Sequence, residues 1–173
     1  GRSAEFKRPG LFIDLAESFP NEKFVMICRQ AKNERQRFEN IKDRARKTEN
    51  LRFIESVDFN DIDEYFAKAK AVVNTSKFEG FSNVFIQAGK AAAAILSLNV
   101  NPDNFLEKYN CGIYCADDTE KLKTALAFLL ENNRYIEIGQ MARKYVLQKH
   151  NIENTIKIYK KKFLLLTKKD VNQ

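Results

Sequence analysis

The sequence predicts a doubly wound α/β domain, with a mainly parallel sheet and helices on both faces. Three observations lead there. Short apolar runs rich in β-forming residues alternate with longer stretches of helical period. Each apolar run is hydrophobic throughout, as strands covered on both faces are. After the last run the pattern turns wholly helical. A length of 173 residues suits a single domain, residues 1–173, with a substantial core.

The elements follow in order. Leu11, Phe12, Leu15, Ala16 and Phe19 share one helical face, and that helix is expected to stop before Pro20. Strands are expected near 23–28, 50–54, 71–74, 95–99 and 111–115. Between the first two lies a basic helix over 32–47, whose thin apolar stripe is Phe38, Ile41 and Ala45. Asn60 is the expected cap of the next helix, with Asp61, Asp63 and Glu64 near its positive end and Ile62, Tyr65, Phe66 and Ala69 on one face. A helical extension over roughly 118–167 closes the chain. Its stripes are Leu122, Ala125, Leu126 and Leu129, then Tyr135, Ile138, Ala142 and Tyr145, then Ile152, Ile156, Tyr159 and Phe163.

Composition narrows the function classes. No run of eighteen uncharged apolar residues and no cleavable leader pattern occurs, so a soluble, cytoplasmic protein is expected. Cys28, Cys111 and Cys115 are an odd set in or beside apolar runs, which fits free thiols in a reducing compartment. With one histidine, His150, and with Cys111 and Cys115 expected on one strand face without partner ligands, no metal site is anticipated. The net charge of +7 admits nucleic acid, an anionic membrane or a small anionic ligand. Nucleic acid ranks last because most of the fourteen phenylalanines follow core periodicity instead of lining a basic surface. The lysine-rich end, with Lys157, Lys160, Lys161 and Lys162, suits peripheral contact with lipid headgroups or a partner domain, and ordinary packing is the simpler expectation.

The stretch from Asn74 to Ala88 runs from a strand through a glycine turn into a helix. Gly80 permits a tight turn, and either Ser82 or Asn83 can cap the helix. The first-turn amides then point at whatever anion sits there, and a phosphate would be held well. An ordinary capped helix after a loop has the same local pattern.

This segment resembles the donor-site segment of the retaining glycosyltransferases of the GT-B type known as glycosyl transferases group 1, or family 4. Their pattern is E-G-F-[SP]-N with a second acid eight residues after the first; Glu79 takes the first place and Gln87 the second. The run Gly1 to Lys7 resembles the family's G-R-x-x-x-x-K loop, and Ala67 to Gly80 its strand leading to the first acid. The likeness covers nearly the whole chain. It implies a Rossmann-like C-terminal domain that binds a nucleotide diphosphate sugar, with UDP or GDP as the nucleotide. Arg2 and Lys7 would neutralise the diphosphate and the amides from Phe81 through Ser82 and Asn83 to Val84 would bind its oxygens. Glu79 would hold hydroxyls of the sugar beside Gly80, and Gln87 the ribose. The residue types suit those tasks, since Arg offers a planar fork and Lys a point charge to a departing diphosphate.

Some features depart from the family pattern. Gln87 is neutral where the family carries an acid. Ala92, Ala93 and Ala94 stand where a G-x-P turn is usual, and alanine favours continued helix. The family's first, central strand precedes the G-R loop, so the resemblance implies that this strand and an acceptor-binding N-terminal domain lie outside these residues. The isolated domain is then expected to be inactive, because one wall of the cleft is missing. Asp61 and Asp63 spell D-x-D but open an amphipathic helix, so neither a metal nor another cofactor is expected. The rival reading is a non-catalytic binding or assembly domain on the same scaffold.

Overall fold

The computed structural model describes residues 1–169. Its five parallel strands form two sheets, not the single sheet expected. In the first, β1 (Phe24–Ile27) pairs with β2 (Leu51–Ile54), Phe24 lying opposite Leu51. In the second, β3 (Ala71–Asn74), β4 (Ala94–Ser97) and β5 (Gly112–Tyr114) lie side by side in that order. Every strand starts within one residue of its predicted run, because an uninterrupted apolar segment has few alternatives once both faces are covered. The split arises because β1 directs the Phe24 and Cys28 amides to Asn50 and Ile54, while β3 pairs with β4. The remaining edges of β1 and β3 share no ladder among the described residues.

Residues 1–7 join the two sheets instead. Arg29 donates to the Gly1 carbonyl (3.0 Å) and Ser3 donates to the Arg29 carbonyl (2.9 Å), a short parallel bridge off the end of β1. The chain then reaches the end of β3, where the Lys77 amide donates to Phe6 (2.7 Å) and the Thr75 hydroxyl to Lys7 (2.8 Å). The carboxyl ends of both sheets are thereby held on one side of the domain.

Helices cover both faces. On one side lie α1 (Pro9–Glu17), α2 (Arg35–Lys47) and α6 (Thr119–Leu130), whose Ile13, Leu15, Ala45, Leu122 and Leu129 pack with Met26, Leu51 and Leu96. Proline at the first position starts α1, and the Asp118 carboxylate caps α6 by accepting from the Glu120 and Lys121 amides at 2.8 and 3.0 Å. On the other side α4 (Asn83–Lys90), α5 (Phe105–Lys108) and α7 (Tyr135–Lys149) bury Phe85, Phe105, Leu106, Tyr145 and Val146 against Ile95. The short α3 (Ile62–Ala67) precedes β3, and α8 (Ile152–Lys169) closes the described chain.

Several expectations change. Asp61, not Asn60, is the cap residue of α3, and its side chain makes no cap bond. Cys111 and Cys115 fall in opposite core clusters instead of on one face, because β5 is only three residues long and both lie outside it. All three cysteines are free and buried, and burial pushes the Cys111 thiol up to about 12 and that of Cys115 to about 11. The last helix does not pack as an ordinary surface helix: Ile152, Ile156, Tyr159 and Phe163 are exposed. No described helix is long and apolar enough to cross a membrane.

The alanine run also behaves differently from its propensity. Ala91 ends α4, and Ala92 adopts the left-handed conformation with φ 56°. The Ala93 amide donates to the Ala88 carbonyl (2.9 Å) and the Ala92 amide to Gly89 (3.0 Å), the paired bonds of a Schellman turn. α7 packs closely on this turn, since a Cβ at Gly139 would stand 2.0 Å from the Ala92 carbonyl oxygen. The turn occupies the place of the glycine turn and starts β4 in register. Alanine pays for that conformation by about 1 kcal/mol relative to glycine. Ala92→Gly is therefore expected to stabilise the domain by about 0.5–1 kcal/mol, read as a raised denaturation midpoint. An unchanged or lowered midpoint would contradict the strain assigned to this turn.

Candidate functional site

The site is built at the carboxyl end of β3. Asn74 closes the strand, and it and the following Thr75 and Ser76 are buried polar residues. Their placement is explained by what they bond. The Asn74 amide group donates to Glu79 Oε1 at 3.0 Å while its own oxygen accepts the Ser76 amide at 2.9 Å. The Ser76 hydroxyl donates to Glu79 Oε1 at 2.5 Å. Lys7, at the end of a 3-10 turn over Glu5–Lys7, places Nζ 2.9 Å from the same oxygen.

Glu79 thus sits in a half-closed position with three donors on one oxygen. Burial pushes its carboxyl up, but the hydrogen bonds from Ser76, Lys7 and Asn74 and the charge of Lys7 outweigh it and hold the group below the usual glutamate range. It stays an anion at neutral pH.

Beyond Glu79 the loop enters α4. Gly80 has no positive φ, so the tight left-handed turn allowed for it is not used, and a Cβ there would meet nothing within 4 Å. Ser82 holds the cap position with extended backbone and Asn83 begins the helix, yet neither side chain caps it. The Asn83 and Val84 amides consequently have no acceptor among the described residues. Phe81 turns its ring into an aromatic cluster, 5.1 Å from Phe105 and 4.7 Å from His150. His150, to which the sequence assigned no site role, is held below its ordinary value by burial and approaches the Tyr145 hydroxyl at 3.3 Å.

The predicted site residues are partly brought together. Lys7 and Glu79 touch, and Glu79 is joined through the loop to Gly80, Phe81, Ser82, Asn83 and Val84. Gln87 lies half-buried one turn into α4, with no side-chain hydrogen bond among the described residues. Arg2 stands apart: it is exposed, bridges only to Arg29 through backbone, and makes no side-chain ion pair among the described residues. Asn74 and Ser76 were missed, although polar residues ending an apolar strand were the available signal. Two surface hollows lie elsewhere, one along α8 and one between α1 and α6. Asp63 of the D-x-D spelling pairs with Lys90 at 2.5 Å.

These features define a class: a parallel α/β domain whose strand-end loops carry a lysine, a half-buried carboxylate and free helix amides. The family sequence profile described as Glycosyl transferases group 1 matches residues 7–132, and the chain belongs to that family. Among solved structures it is similar to the C-terminal domain of LpcC, a glycosyl transferase group 1 family protein from Francisella tularensis, at 19% identity and TM-score 0.75, covering 88% of this chain and 84% of that one. It is also similar to HepE from Anabaena in complex with UDP (15%, TM-score 0.80, 97% and 47%) and to TarM from S. aureus in a complex that includes UDP (20%, 0.76, 92% and 33%). The fold is that of a GT-B C-terminal domain, and the chain spans less than half of the HepE and TarM chains. No curated protein matches it by sequence.

The depressed Glu79 carboxyl has a stability consequence. A group whose native pKa lies below its unfolded one stabilises the fold above the unfolded value, and that contribution fades as pH falls through the native value. The melting-temperature advantage of the wild type over Glu79→Gln is expected to shrink as pH drops from neutral through the usual glutamate range near about 4.3 and below. An advantage that stays constant across that range would show that Glu79 is not held by these donors.

Proposed function

We propose that this chain is the donor-binding domain of a retaining glycosyltransferase. It holds a UDP- or GDP-sugar for transfer to a carbohydrate or lipid-linked acceptor in a longer, cytoplasmic protein. One observation carries the reading: the Lys7–Glu79 pair lies in the same strand-end loops as the uncapped first turn of α4. Lysine and free amides are suited to phosphate oxygens, and the carboxylate beside them is suited to sugar hydroxyls. Arg2, near the same end, joins Lys7 in neutralising the diphosphate, and the amides from Phe81 to Val84 take its oxygens. Gln87 contacts the ribose through its neutral amide.

The departure of the diphosphate is then helped by charge already in place, without a metal or other cofactor. The acceptor is held by an N-terminal domain opposite this one, so the isolated domain binds donor without turning it over. The UDP named with HepE and TarM supports a nucleotide-dependent reading for relatives of this fold.

Calorimetric titration with UDP, GDP and their sugars tests the proposal. Saturable binding of at least one is expected, weakened about tenfold or more in Lys7→Ala and Glu79→Ala. Gly80→Ala is the most discriminating variant. Since its Cβ meets nothing within 4 Å and its φ is ordinary, stability is expected to stay unchanged while a ligand lying over the glycine is excluded. Absence of saturable binding to any of these nucleotides would remove the donor-binding reading.

A further inference from the structure

Arg8 occupies a backbone position that disfavours any residue with a Cβ. Its φ of 47° and ψ of 50° are left-handed, and it is both the end of the 3-10 turn and the residue before α1. The side chain accounts for an arginine there. Nε donates to the Thr75 carbonyl at 2.8 Å, one terminal nitrogen to the Ser76 carbonyl at 3.2 Å, and the other to Asp117 Oδ1 at 2.5 Å. One guanidinium therefore ties the start of α1 to the loop after β3 and to the connection between β5 and α6.

Three acceptors in three directions match a planar fork and not a single ammonium. The held segment is also the one that serves Glu79: the Ser76 hydroxyl donates to its carboxylate, and the Thr75 hydroxyl donates back to the Lys7 carbonyl. Arg8 itself makes no bond to Glu79.

We propose that Arg8 is a positioning residue, whose guanidinium fixes the Thr75–Ser76 segment and so sets the Ser76 hydroxyl and Lys7 onto Glu79. Its importance for sugar donors rests on the reading of Glu79 given above; the positioning does not. Glycine suits a left-handed backbone, so Arg8→Gly removes the clamp while relieving the main chain. Asp117→Ala removes the ion pair and leaves both carbonyl bonds.

The Glu79 carboxyl is followed by 13C NMR titration in the full chain, with Glu79→Gln used for assignment. In Arg8→Gly its midpoint is expected to rise toward the ordinary glutamate value, and in Asp117→Ala to stay where it is. Affinity for the UDP- or GDP-sugar that binds best is expected to fall about tenfold in Arg8→Gly and to change less than about twofold in Asp117→Ala. Should Arg8→Gly not fold, Arg8→Lys carries the test, since it keeps the charge without the fork and is expected to show the same upward movement. A Glu79 titration unmoved in the folded variant, or moved equally by Asp117→Ala, overturns the proposal. Failure of the wild type to bind any nucleotide would count against the transferase reading alone, because the NMR titration needs no ligand.

Discussion

A carboxylate partly withdrawn from water remains an anion only where other donors replace the lost solvent, and Glu79 imposes that condition on the whole carboxyl end of the sheet. The three donors that meet it come from different places. Asn74 is the last residue of β3, Ser76 lies in the following loop, and Lys7 arrives from the opening turn of the chain. For Lys7 to reach, residues 1–7 must cross from the end of β1 to the end of β3, which is the path their backbone bonds define. Satisfying one acid and joining two sheets are the same structural act.

Much of the architecture was legible because covered parallel strands leave a plain trace: apolar runs with nothing to alternate against. Pairing left no such trace. Whether β1 joins β3 is decided by which edge each strand has already committed, and composition does not record edges. Ala92 shows the same limit from another side. Propensity favours helix, yet the chain leaves α4 through a left-handed Ala92 to enter β4, in a turn on which α7 packs closely at Gly139. The site was legible where it followed a family pattern, as at Lys7 and Glu79. Ser76 and Arg8 act through single hydrogen bonds in irregular loops, where no periodicity marks them. Arg8 in particular reads as one more cation after Lys7.

The excess of positive charge is distributed in a way that sharpens the reading. Along α2 three of the six cations are paired: Arg37 with Glu34 and Glu5, Lys42 with Glu55, Arg44 with Asp14 and Glu17. Each exposed pair contributes little stability, about 0–1 kcal/mol, but each also cancels local field. The other basic helix is α8, whose lysines lie on a surface that also exposes Ile152 and Tyr159. At the end of β3 the local cation is Lys7, paired with Glu79 in the loop that leads to the uncapped first turn of α4.

Under the proposed donor-binding reading, that local arrangement has to accommodate two anions. Lys7 carries three donors and directs one at Glu79, so a diphosphate oxygen can share the same ammonium without the ion pair opening. The sharing would bring a second negative charge toward the Glu79 carboxylate, and the repulsion has to be offset nearby. The uncapped amides at the positive end of α4 supply one offset, and an N-cap side chain bonded to them would have used it up. The neutral Gln87 adds no third negative charge. An acid at this position, which the family pattern carries, would add a further negative charge on the helix proposed to receive the phosphates, and the amide keeps hydrogen-bonding capacity without that charge.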